Sequence, residues 1–567
     1  MDRISDFRLF KKWGVKNLPE DTNFYSNQTR REVGRIMGVY MDHCFVTPFM
    51  SQNVQLLSEE NPLIADWDCC ELDGHKIETL DDWSQVLAKN KLSQVRGAFT
   101  LAWISSSGKL TLARDAIGER TLFYSTLKNG FAFASSISLL LNSNLFPRTL
   151  NMSSVALFLS VAYIPGPRTL VEGILELAPG TILKLENGKI SHRRFWQLPT
   201  DLDPELDEAK QCANLRGLLE LAISRRLPRA GSIAASLSGG VDSSLVVAIL
   251  QKLWGNNIDT FSISFGKDYR NELEFSNLVA RHCGVRHNIV ELTPEIVSTH
   301  LDSTIEALSQ PIGDPLTVPN SILFKTAAMH SRVLFNGEGG DPCFGGPKNL
   351  PMILSELYGQ NPEHSRAQNY LRSHQKCYDE LAEIFTPEAF EFAKIDSLPS
   401  VVSGALGDPR WPDFIARLQA LNIQMKGGYQ ILPKIDQLSN VFGILPRSPL
   451  FDRDVVAFSM RLPSQKKQYG AIEKYLLKQA VKDLLPAVII DRLKSGMMVP
   501  VEGWFRKPLA RISKERLLGN DTLNGIIRRD YLERLCNGSL SGFHPRHGVK
   551  IWLLITLEAW IRKVLRP

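Results

Sequence analysis

The sequence predicts two fold classes in one chain: an α+β first domain on antiparallel sheets, then an α/β domain on a parallel sheet with a helical C-terminal part. Three observations carry this. The first ~195 residues hold short β-branched and aromatic runs cut by turn signals. After about residue 205, strand-like and helix-like runs alternate. And 567 residues are too many for one ordinary core.

The first-domain strands are GAFTLAWI (97–104), KLTLARD (109–115), TLFYSTL (121–127) and GFAFASS (130–136), separated by Ser105–Gly108 and Asn129-Gly130. GTILKLENGKISHRRFW (180–196) adds two alternating strands about an Asn187-Gly188 turn. Stacked antiparallel sheets fit this pattern. QLPTDLDPELDEAK (197–210), acidic and holding two prolines, reads as a linker into a helix. SIAASLS (232–238), DTFSISF (259–265), RHNIVEL (286–292) and RVLFNGEGG (332–340) then read as strands, with helical runs such as NELEFSNLVARHC (271–283) between them. Strands apolar on both sides imply a parallel sheet covered by helices. Beyond residue 345 the pattern is mostly helical, without internal repeats or low-complexity segments. The last helix, VKIWLLITLEAWIRKVL (549–565), is interrupted by Glu558, Arg562 and Lys563 and is short for a bilayer span, so it reads as packed.

Hydrophobic content of 44% and charged content of 22% are those of a soluble globular protein. A net charge of +6 from 66 basic and 60 acidic residues is weak over this length and does not point to nucleic acid as a partner. Eight cysteines (44, 69, 70, 212, 283, 343, 377 and 536) form no C-x-x-C pair, so neither a zinc ribbon nor a thioredoxin-like pair is signalled. Their dilution reads as reduced thiols in a cytoplasm. The start, MDRISDFRLFKKWGVKN, is charged throughout and shows no apolar h-region, so neither a secretory signal nor a membrane partner is expected.

The chemistry concentrates in IAASLSGGVDSSLVVAIL (233–250), where two apolar runs flank Ser238-Gly239-Gly240-Val241-Asp242-Ser243. In such sheets ligands collect where strands end and helices begin. A strand ending in Ser-Gly-Gly leaves backbone N–H groups bare beside a helix N-terminus, which favours phosphate. Asp242 would repel phosphate unless a cation lies between them, so it implies Mg²⁺. The plainer alternative is a Gly-rich turn with an N-cap serine and nothing bound. No G-K-[ST] follows, so this is not a Walker A loop. FNGEGGDPCFGG (335–346) is a second strand end with carboxylates, Glu338 and Asp341. If Asp341 faces Asp242 across the strand ends, the two make an oxygen site for Mg²⁺ on a triphosphate; the alternative for Asp341 is an N-cap.

The S-G-G-x-D-S element, F-S-I-S-F (261–265), P-I-G-D-P (311–315) and G-E-G-G-D-x-x-F-G-G (337–346) resemble the synthetase domain of the glutamine-dependent asparagine synthetase family, a branch of the PP-loop ATP pyrophosphatases. The resemblance continues through DQLSNVFGILPRSPLFD (436–452), EKYLLKQAVKDLLP (473–486), RLKSGMMVP (492–500) and the Trp-rich helix at 552–560. In the first domain it covers RGAFTLAW, LARDAIGERTLFYS, FAFASS and Y-I-P-G-P-R-T-L-x-E-G-I (163–174). It implies an Ntn-type antiparallel sandwich, a degenerate glutaminase, over 1–195, a linker over 196–210, and an adenine nucleotide α-hydrolase-like synthetase domain over 211–567.

It further implies ATP and Mg²⁺ as cofactors. Ser238, Gly239, Gly240, Asp242 and Ser243 would hold the pyrophosphate, with Gly337 beside the nucleotide. Leu237 and Ile263 would present backbone to adenine, and Asp242 and Asp341 would carry the metal. A carboxylate attacks the α-phosphorus, giving an acyl-adenylate and pyrophosphate, and ammonia or an amine then displaces AMP. Lys494 matches the lysine that neutralises developing charge. Glu338 would take a proton from the incoming nitrogen.

Two departures qualify the resemblance. The family's glutaminases use a cysteine directly after the initiator Met, whereas this chain starts Met1-Asp2-Arg3 and its first cysteine is Cys44, so no glutaminase activity is expected. Leu445-Pro446 replaces the glutamate of G-x-E-x-R while Arg447 and Asp452 remain, in a segment the resemblance places at the amino-acid pocket. The expected activity is an AMP-forming amide synthetase acting on a small-molecule or peptide carboxylate. Asparagine formation, β-lactam-like closure and lasso-peptide macrocyclisation, the last with a precursor peptide and a protease as partners, all stay open. A PP-loop RNA-modifying enzyme and a non-catalytic scaffold are the readings from other classes.

Overall fold

The computed structural model describes residues 63–567 except 106, 129, 204–206, 256, 270, 347–351, 355, 357–364, 493–496 and 541–545, together with the backbone of three strands between residues 36 and 56. The chain divides into two compact units. One comprises Met1–Asn151, Gly166–Trp196 and Val564–Arg566; the other comprises Met152–Pro165, Gln197–Lys563 and Pro567.

The first unit holds two antiparallel sheets. Its strands are β1 (Ile36–Met41), β2 (Cys44–Met50), β3 (Gln55–Leu56), β4 (Leu63–Leu72), β5 (His75–Lys76), β6 (Arg96–Ile104), β7 (Leu110–Arg114), β8 (Phe123–Leu127), β9 (Gly130–Ala134), β10 (Leu175–Glu176), β11 (Thr181–Glu186) and β12 (Lys189–Arg194). One sheet runs β10-β8-β9-β1-β2; the other runs β12-β11-β7-β6-β4-β3, with β5 on β4. Side chains alternate faces along each strand, so one sheet can serve two cores. Ile64, Ala102, Leu112 and Leu183 join Tyr124, Phe131 and Phe133 of the other sheet in the core between them. Their neighbours Leu63, Ala65, Leu101, Ala113 and Ile182 face away, onto Leu80, Trp83 and Val86 of the helix Leu80–Ala88. The β11–β12 hairpin turns through Asn187 (φ 51°) and Gly188 (φ 72°), as the Asn-Gly pair predicts.

The second unit is built on a five-stranded parallel sheet. Its strands β13 (Ile233–Ser236), β14 (Ile258–Ser264), β15 (Arg286–Glu291), β16 (Val333–Phe335) and β17 (Leu445–Arg447) lie in the order β15-β14-β13-β16-β17. The four predicted strands are there, together with the helix Leu273–Cys283 between β14 and β15. β17 escaped the sequence reading because it is three residues long and contains Pro446. A proline has no N–H for a ladder, and an edge strand tolerates that. β13 and β16 pair through Ala234↔Leu334 and Ala235↔Phe335, so the loops that follow both strands leave the same edge of the sheet side by side.

Past residue 345 the described residues are mainly helical. Asp207 caps the helix Glu208–Arg225 by accepting from the N–H groups of Ala209 and Lys210. The last helix, His547–Trp560, is buried and continues as a π-helical turn, Ile561–Leu565. Among the described residues no helix is long and apolar enough to cross a membrane, and the described cysteines are free thiols.

Candidate functional site

The site grows from the loop after β13. Leu237 donates its N–H to the Phe261 carbonyl at 2.9 Å, and its own carbonyl accepts from the Ser262 hydroxyl. The chain then turns through Gly239 (φ 75°) into the helix Val241–Trp254, whose N-cap, Gly240, offers no side chain to the first-turn N–H groups. An uncapped end of a 14-residue helix is an anion-binding feature. Ser243 ties the loop to the helix: its hydroxyl accepts from Ser238 N–H at 3.0 Å and donates to the Gly240 carbonyl at 3.2 Å.

The loop after β16 meets this one closely. A Cβ on Gly337 would lie 2.5 Å from the Ser243 nitrogen, and one on Gly340 would fall on the Asp242 carboxylate. Glycine is required here by contact rather than by chain flexibility. The approach sets Asp341, in the short helix Gly340–Phe344, opposite Asp242. Lys474 lies between them, with its Nζ 2.5 Å from an oxygen of each carboxylate. Its side chain is fully buried, and its backbone is left-handed (φ 54°) where the chain enters the helix Tyr475–Val481. A non-glycine residue held in that region stores strain that the surrounding structure must impose.

Leu237, Ser238, Asp242, Ser243 and Ile263 line one pocket together with Gly337, Glu338 and Asp341. The structure therefore brings together most of the residues singled out in the sequence. Gly239 and Gly240 lie on the loop between Ser238 and Asp242 and do not line the pocket. Lys494 is outside the described residues. Asp242 and Asp341 face one another across the Lys474 ammonium. Two carboxylates that converge on a single ammonium form a hard-oxygen pair suited to Mg²⁺.

The opposite wall was not foreseen. The helix Phe414–Leu421 passes into a π-helix, Asn422–Ile431, and then into the helix Leu432–Val441. Asn422, Lys426, Gln430 and Lys434, four residues apart, all reach the pocket from this rod. Burial alone would push the Lys434 ammonium down, but the Asp314 carboxylate at 3.1 Å and the Glu338 carboxylate hold it above the ordinary lysine value.

Lys474 was also missed. It stands in the quoted stretch EKYLLKQAV, but nothing in that helix-like run announces a residue reaching back to the β13 and β16 loops. Arg447 and Asp452, in the segment the sequence resemblance placed at the amino-acid pocket, do not line the pocket of Asp242 and Glu338. Arg447 donates to the Arg226 carbonyl. Asp452 pairs with Arg226 at 2.5 Å and caps the helix Arg453–Arg461. Both hold Arg226, the residue that ends the helix Glu208–Arg225.

Residues 214–562 match the family model described as asparagine synthase, and residues 77–196 match that of a glutamine amidotransferase domain. A glutamine-hydrolysing asparagine synthetase of Bacillus subtilis is 22% identical over 532 residues, covering 86% of this chain and 82% of the relative. One from Gallus gallus is 25% identical over 474 residues (76% and 70%). The amidase chyE of Penicillium rubens is 23% identical over 511 residues (75% and 72%).

Proposed function

This chain belongs to the asparagine synthase family, and on that premise we propose that it is an ATP-dependent, amide-bond-forming synthetase that activates a small-molecule or peptide carboxylate. A carboxylate oxygen bonds to the α-phosphorus, the bond to the β-phosphate breaks, and pyrophosphate leaves. Ammonia or an amine then bonds to the acyl carbon, and AMP departs with the oxygen as the nitrogen loses a proton. Residues 1–195 would be the amidotransferase-type domain, 196–210 the linker and 211–567 the synthetase.

The observation that supports this best is the convergence of Asp242 and Asp341 on one positive charge beside the Ser-Gly-Gly loop. The two carboxylates would hold Mg²⁺, which supplies charge neutralisation for the leaving pyrophosphate. Ser238, Gly239, Gly240 and Ser243 would orient the phosphates, while Leu237 and Ile263 would present backbone to adenine, with Gly337 beside them. Lys474 would counter charge developing on the acyl oxygen and the leaving group, a duty the sequence resemblance gives to Lys494. Glu338, with Lys434 as its cationic neighbour, would accept the proton from the attacking nitrogen.

The purified protein is expected to bind Mg·ATP and to release pyrophosphate only when a carboxylate is supplied, aspartate with ammonium chloride being the first to try. Asp242→Asn is expected to abolish that release. Full release in the variant would refute the metal assignment, and failure of the wild type to bind Mg·ATP at millimolar concentration would refute the reading itself.

A further inference from the structure

The phosphate loop is braced from behind by a residue that the proposed chemistry does not use. Arg492 stacks its guanidinium over the Phe275 ring, 3.8 Å from the centroid. It also pairs with the Glu272 carboxylate and donates a 3.3 Å hydrogen bond to the carbonyl of Gly239. Phe275 presses on the same glycine: a Cβ on Gly239 would lie 2.7 Å from the Phe275 Cβ and 2.7 Å from the Ser276 nitrogen. Gly239 is thus clamped between the start of the helix Leu273–Cys283 and the arginine.

The clamp has a directional consequence. In a trans peptide the carbonyl and the following N–H point to opposite sides. With the Gly239 carbonyl turned to Arg492, the Gly240 N–H turns the other way, towards the Ser238 hydroxyl at 3.4 Å. Ser238 lies on the pocket wall. The charge on Arg492 is already matched by Glu272, and Arg492 does not line the pocket, so its effect is orientation rather than direct attraction. Three partners on three sides of one planar group is work for a guanidinium and not for an ammonium.

We propose that Arg492 is a positioning residue for the phosphate arm of ATP, holding the Gly239 peptide so that the Gly240 N–H meets the hydroxyl of Ser238 on the pocket wall. This rests on the nucleotide site proposed above. The test is calorimetric titration of the full chain with Mg·ATP and, separately, with adenosine, which lacks the phosphate arm. Losing a hydrogen bond to a charged donor together with its stacking should weaken Mg·ATP binding by Arg492→Met about 10- to 100-fold, with adenosine binding unchanged within about twofold. Arg492→Lys, which keeps the Glu272 pair alone, should lose less, about fivefold. Phe275→Leu, which removes the stacking face, should show the same selective loss if the Met variant does not fold. Wild-type affinity for Mg·ATP in the folded variants, or an equal loss for ATP and adenosine, overturns the proposal. No Mg·ATP binding by the wild type instead removes the nucleotide site on which it rests.

Discussion

Replacing Lys474 by Met should both destabilise the second unit and make that unit responsive to Mg²⁺. The substitution keeps the length of the side chain and removes its charge, leaving Asp242 and Asp341 facing each other unbridged. Deleting one partner of a buried ion pair costs about 3–5 kcal/mol. Asp341 is 26% exposed and keeps part of its hydration, so the lower end, about 3 kcal/mol, is the better figure. For a unit of roughly 380 residues the unfolding entropy is about 0.8 kcal/mol per kelvin, so Tm in metal-free buffer should fall by about 4 °C. Mg²⁺ at thirty times its dissociation constant would restore about 2 kcal/mol. The wild type should gain less, because there the metal must first displace the ammonium. Thermal melts of both proteins with and without Mg²⁺ measure this. A K474M protein that melts with the wild type, and gains no more from Mg²⁺ than the wild type does, would refute the view that the lysine stands where the carboxylates share a cation.

Gly340→Ala should cost both Mg·ATP affinity and stability, because the new methyl must push aside the Asp242 carboxylate and with it the pair to the buried Lys474 ammonium. At least a tenfold rise in the dissociation constant is expected from about 1.4 kcal/mol of displaced geometry, and unchanged affinity would show that Asp242 is not a ligand. Lys467, whose Nζ bonds Gln419 Oε1 at 2.5 Å, has its ammonium pushed down to about 7 by burial, with Asp413 and Cys343 partly offsetting the shift. The folded chain therefore binds fewer protons than the unfolded chain from about pH 7 up to the ordinary lysine range near 10.5, and stability rises with pH across that window. The penalty for burying the ammonium is complete below the folded value, so Lys467→Met should raise the urea midpoint more at pH 6 than at pH 10. Equal gains at the two pH values would contradict this.

The parts legible in the sequence are those where local pattern and tertiary demand agree. The strands of the first unit alternate because one sheet serves two cores, and Asn187-Gly188 turns as that dipeptide usually does. S-G-G-x-D-S was legible because small residues after an apolar strand have no packing reason to be there. Illegible parts depend on distant partners. Lys474 gains its place from loops more than a hundred residues earlier in the chain, and its left-handed backbone leaves no mark on the residues around it. Pro446 reads as a strand breaker until the edge of the sheet is known. Arg447 and Asp452 follow a recognisable pattern, but their meaning was set by Arg225 and Arg226, which no motif includes. The helix Leu80–Ala88 had a readable signal, the reciprocal Thr79–Asp82 cap.

The stretch Asn422–Ile431 closes its hydrogen bonds one residue later than an ordinary helix, which keeps Asn422, Lys426 and Gln430 in file along the pocket and in line with Lys434. Removing a single residue from it would let the rod relax to the common helix, in which residues four apart step round by about 40° each and no longer stay in file. One codon lost or gained there would re-dress a whole flank of the cavity at once.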